Sequence, residues 1–73
     1  MKDLSKIKNY IYGKGIMCKL NSNSLSGIHK AKKFTIYFSK KNIIKGKPQL
    51  LLNINDKLFS TKDSNEIVRL LNA

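Results

Sequence analysis

Phe34-Thr35-Ile36-Tyr37-Phe38 places Phe34, Ile36 and Phe38 on one side of an extended chain and Thr35 and Tyr37 on the other. Period-two alternation of this kind marks a β-strand with one buried face. A single strand cannot close its own apolar face, so the rest of the chain must supply neighbouring strands and a cover. Only 73 residues are available. A chain of this size buries about 60% of the surface exposed when unfolded, which allows one small core and one domain over residues 1–73. The hydrophobic fraction of 41% is too high for a disordered polycation.

Further strands follow from composition and turn chemistry. Gln49 to Ile54 and Lys57 to Ser60 flank Asn55-Asp56, a pair that tolerates the positive φ of a two-residue type I′ turn. Such a turn pairs Ile54 with Lys57, Asn53 with Leu58 and Leu52 with Phe59. Leu50, Leu52, Ile54 and Phe59 then share one face, and Leu51 and Leu58 the other. Nearer the start, Leu4, Ile7 and Ile11 have helical spacing behind Asp3, but Tyr10-Ile11-Tyr12 has strand-forming content. The segment reads as a short helical turn leading into a strand. Gly13-Lys14-Gly15 reads as a hairpin turn into a second strand, Ile16 to Leu20. Asn21 to Gly27 reads as a polar loop, and Lys40 to Pro48 as a connection in which Pro48 opens the next strand.

Asp63-Ser64-Asn65-Glu66 has capping-box spacing ahead of the apolar stripe Ile67, Leu70 and Leu71, which predicts a C-terminal helix docked on the sheet. The expected fold is α+β: about five short antiparallel strands in a small curved sheet or SH3-like barrel, with a C-terminal helix. Ser5-Lys6-Ile7-Lys8 and Ser60-Thr61-Lys62-Asp63 resemble the sheet entry and helix entry of small archaeal chromatin proteins. The resemblance covers eight residues, implies a curved antiparallel sheet closed by a helix, and carries over no binding residue.

Charge is the main functional clue. Fifteen basic residues stand against four acidic ones, for a net charge of +11. Fourteen of the fifteen are lysine, and lysine, asparagine and isoleucine together fill 31 of the 73 positions. All three have A/T-rich codons, so genome composition raises lysine without selection for phosphate contacts. The shortage of acids does not follow from that bias. Lysine offers a hydrated point charge in place of arginine's bidentate fork, so binding to DNA or RNA is expected to be backbone-dominated, through a lysine-rich face on one side of the molecule, with weak sequence preference. The expected contacts are Lys30, Lys32 and Lys33 at one end of the central strand and Lys40, Lys41, Lys45 and Lys47 at the other, with Tyr37 and Thr35 stacking on bases or sugars. Lysines guarding exposed strand edges are the plain alternative.

Catalysis has little to work with. Asp63 and Glu66 have a capping role, Asp56 a turn role, and Asp3 lies near the chain start. His29 stands alone in a basic stretch and reads as a solvated or hydrogen-bonded side chain. Cys18 is the only cysteine and reads as a small buried hydrophobe. No disulfide within the chain or four-ligand zinc site is expected, and no cofactor. Gly46-Lys47 is followed by Pro48 and departs from a phosphate-binding loop. No segment has the length of a membrane span or secretory signal, so a reducing cytoplasmic location is expected.

The rival expectation is a small protein-binding module or inhibitor, of viral or mobile-element type, docking on an acidic protein. Ile43, Ile44, Leu51 and Leu58 would supply its apolar contacts or those of a homodimer.

Overall fold

The structure, a computed structural model, describes residues 4–44 and 47–73 and places the side chains of 4–39 and 49–73. The expected Asp3 cap and Lys45 contact lie outside the described residues. The elements run α1 (Leu4–Gly13), β1 (Lys19–Leu20), β2 (Leu25–His29), β3 (Lys32–Ile44), β4 (Lys47–Ile54), β5 (Lys57–Thr61) and α2 (Ser64–Asn72).

The N-terminal helix is longer than expected and replaces the strand at Tyr10-Ile11-Tyr12. Ile7 and Ile11, four residues apart, lie on one helical face and are both buried. That burial outweighs the local β preference of two tyrosines. Gly13-Lys14-Gly15 ends this helix and makes no hairpin. The Ile16 amide donates to the Ile11 carbonyl and the Gly15 amide to the Tyr12 carbonyl, each at 3.0 Å, while Gly15 has φ +84°. This is a Schellman motif, and Ile16 packs as fully buried as Ile11. The Ser5–Lys8 segment likewise lies in α1, not at a sheet entry.

Only Lys19 and Leu20 of the expected second strand join the sheet. Their partner is β2, where a loop was expected. The missed strand carries Leu25, fully buried and paired with Ile36. It also carries Gly27, where a Cβ would meet the Met17 carbonyl oxygen at 2.5 Å and the Phe34 ring at 3.0 Å. The chain leaving α1 crosses β2 so closely that this position has no room for a side chain.

All five strands are antiparallel, in the order β1-β2-β3-β4-β5, and the sheet is not closed. It is the open form of the expected fold and not the barrel, with a helix at each end of the chain instead of one. The β4–β5 hairpin has the expected register, Ile54 to Lys57, Asn53 to Leu58 and Leu52 to Phe59. Its turn residues Asn55 and Asp56 have φ +49° and +70°. β3 runs beyond the expected strand: after Ser39↔Gln49 the register shifts, and Ile43↔Pro48 and Ile44↔Lys47 continue the pairing. Lys40 to Ile44 and Lys47 to Pro48, which read as a connection, are therefore strand, with Pro48 the second residue of β4.

The core forms from one face of the sheet and both helices. Leu25, Ile36, Leu52 and Phe59 make one cross-strand row, flanked by Phe34 with Ile54 and by Leu50 with Thr61. Ile7, Ile11, Ile67 and Leu71 from the helices join this cluster. Asp63 caps α2 by accepting from the Glu66 amide at 3.0 Å, and the Glu66 carboxylate accepts from the Lys62 amide at 2.8 Å. A nine-residue helix is marginal by itself. Its stability here comes from burying Ile67 and Leu71, each contributing roughly 1.5–3 kcal/mol.

Candidate nucleic-acid interface

Strand alternation decides what the second face of the sheet carries. Lys19, Ser26, Thr35, Asn53 and Leu58 form one row across all five strands, and Tyr37, Leu51 and Ser60 form the next. Ile28 pairs with Lys33 at one end, and Ser39 with Gln49 at the other. Both helices pack into the opposite face, so this face carries hydroxyl, amide and ammonium groups together with Ile28, Leu51, Leu58 and a half-buried Tyr37. Tyr37 is therefore not beneath either helix.

The expected lysines divide between the two ends of β3. Lys30 occupies the β2–β3 turn together with Ala31, at φ +52° and +64°. Lys32 lies on the helix side of β3, opposite His29, and Lys33 lies on the open side. Lys40, Lys41 and Lys47 belong to the far end by their backbone positions; six residues separate Lys33 from Ser39, about 20 Å at strand rise. Ile43 and Ile44 extend β3 into this far hairpin. Of the other apolar candidates, Leu51 is 5% exposed and Leu58 58%. Leu58 therefore offers contact area on the open face, and Leu51 offers almost none.

The described cations also populate the helix side, so they are not gathered on a single face as expected. Lys8 lies over the Tyr12 ring at 5.8 Å and Lys14, just past the end of α1, over the Tyr10 ring at 5.4 Å, both at i,i+4 spacing. The Tyr10 hydroxyl also donates to Asn65 Oδ1 at 3.4 Å, tying α1 to α2. Sequence reading assigned these tyrosines to a strand and missed the pairs. Their four-residue spacing from the lysines was the available signal.

A shallow depression of about 300 Å³ opens where β3 meets the β4–β5 turn, lined by Lys33, Thr35, Asn53, Asn55 and Asp56. Asn55 extends the ladder beyond the last β3–β4 pair. Its amide donates to the Lys33 carbonyl at 2.9 Å, and its Oδ1 accepts from the Lys33 amide at 3.1 Å. Asn53 Oδ1 accepts from the Asp56 amide at 3.0 Å. Sequence reading missed this grouping, because about twenty residues separate its two halves.

His29 Nε2 is 2.9 Å from Asn72 Oδ1 at the end of α2, the hydrogen-bonded role expected of it. Cys18 is partly buried beside the core. Burial pushes its thiol up from the ordinary value, opposed by the Lys8 ammonium, so the reactive thiolate is disfavoured. Among the described residues, no three histidine, cysteine, aspartate or glutamate side chains gather as a metal site, and no helix is long and apolar enough to cross a membrane. No family model, curated protein or solved structure matches the chain.

Proposed function

We propose that this protein binds nucleic acid without catalysing a reaction, seating the strand on the helix-free face of its sheet. The observation that carries this reading is Tyr37 on that face, between Thr35 and Ser39 along β3 and beside Leu51 of β4, on a chain of net charge +11. Each part has a physical role. The positive field draws a polyanion from all sides, including from lysines that never touch it. The open face then offers an aromatic ring to stack on a base while Lys33 and the lysines of the far hairpin meet phosphates. Two of the four acids are engaged at the start of α2, which leaves few carboxylates to oppose that field.

Fluorescence anisotropy with labelled single-stranded and duplex oligonucleotides over a salt series tests this function. Affinity is expected to fall steeply, with a log–log slope of about 0.7 per phosphate neutralised on a single strand and about 0.9 on a duplex. Absence of binding at low salt, or binding indifferent to salt, refutes it. The second reading, docking on an acidic protein, draws support from Leu58 and Ile28, exposed at 58% and 66% on the same face. Replacing Ile28 and Leu58 by serine separates the two: a phosphate binder keeps most of its affinity, and a complex centred on that apolar pair loses it.

A further inference from the structure

We infer that the depression between β3 and the β4–β5 turn is a subsite for an unpaired guanine base, an inference that rests on the nucleic-acid reading above. Its lining is mixed in character. Lys33 and Thr35 can donate from β3, Asn53 and Asn55 from the turn region, and Asp56 contributes a carboxylate.

The two amides are held in one orientation. A backbone N–H can only donate, so Asn53 must turn its oxygen to the Asp56 amide and Asn55 must turn its oxygen to the Lys33 amide. Each side chain therefore keeps its NH₂ group for a ligand. The site presents fixed donors beside one acceptor with two oxygens.

A phosphate suits this set poorly, because Asp56 would place like charge against it. A base edge suits it better. Only guanine carries two adjacent N–H donors, N1 and the 2-amino group, beside a carbonyl acceptor. The carboxylate takes the two donors, and an asparagine NH₂ donates to O6. In a duplex this edge is occupied by cytosine, so the subsite selects single strands. Tyr37 lies two residues beyond Thr35 on the same face of β3, about 7 Å away along the strand, and supplies a stacking surface for the neighbouring base.

The test compares a labelled twelve-residue oligothymidylate with versions carrying one central guanine, hypoxanthine or adenine, against the wild type and Asp56→Asn. Asparagine tolerates the positive φ of this turn as well as aspartate does, so the variant keeps the hairpin. It also loses a negative charge, so general attraction to the strand does not fall. The wild type is expected to favour guanine by about fivefold or more over hypoxanthine, which lacks the 2-amino donor, and over adenine. In Asp56→Asn that preference disappears while oligothymidylate binding is retained. Equal wild-type affinity for all four oligonucleotides, or a guanine preference that survives in Asp56→Asn, overturns the subsite and leaves the general function standing. No binding to any of them overturns both.

Discussion

The two faces of the sheet are made from the same strands by alternate residues, yet they have different fates. Phe34, Ile36, Leu52 and Ile54 point into a core sealed by α1 and α2. Thr35, Tyr37, Asn53 and Ser60 point away from it. Stability is concentrated on the first face and ligand chemistry on the second. A substitution should therefore damage folding or binding according to the parity of its position, even between residues adjacent in the chain, with Leu51, buried on the open face, the exception.

The largest expected effect is on the covered face. Phe34→Ala removes a ring that is 1% exposed and should cost about 3–5 kcal/mol in urea unfolding, enough to unfold a domain this small. A loss below about 1 kcal/mol would break the assignment of Phe34 to the core. Gly27→Ala comes next, at about 1–3 kcal/mol, because the added methyl meets the Met17 backbone oxygen and not a flexible side-chain end.

The open face should behave in the opposite manner. Tyr37→Ala is expected to lower stability by no more than about 1 kcal/mol but to weaken single-strand binding by about 1–3 kcal/mol per lost stack, read by anisotropy. If unfolding suffers more than binding, the division between the faces fails at its central residue. Lys33→Gln should be the mildest: stability within about 0.5 kcal/mol of wild type, and a salt slope on single strands lower by about 0.7. An unchanged slope would remove Lys33 from the phosphate contacts.

Much of the sheet was legible from residue order. Asn55-Asp56 announces a two-residue turn, and that turn sets the β4–β5 register residue by residue. The capping residues of α2 announce its start. β2 stayed hidden because its hairpin turns on Lys30-Ala31, which carries none of the glycine or asparagine usual at positive φ. Its glycine reads as loop, while its actual reason is the close passage of Met17. Gly13-Lys14-Gly15 suits a hairpin as well as a helix end. Burial of Ile7, Ile11 and Ile16 together selects the helix end. The stacking residue of the proposed interface could be read locally, but its base pocket could not, because strand pairing alone brings Lys33 beside Asn53 and Asp56.

Local order thus settles which side chains share a face, since pleating alternates them two by two whatever the rest of the chain does. It also settles the charge and the shortage of acids. Which face is covered, where the first helix ends and which distant polar groups meet were decided by packing. Those outcomes depend on apolar surfaces from separate segments being buried together, and the free energy of that burial exceeds the preference of any short stretch for helix or strand.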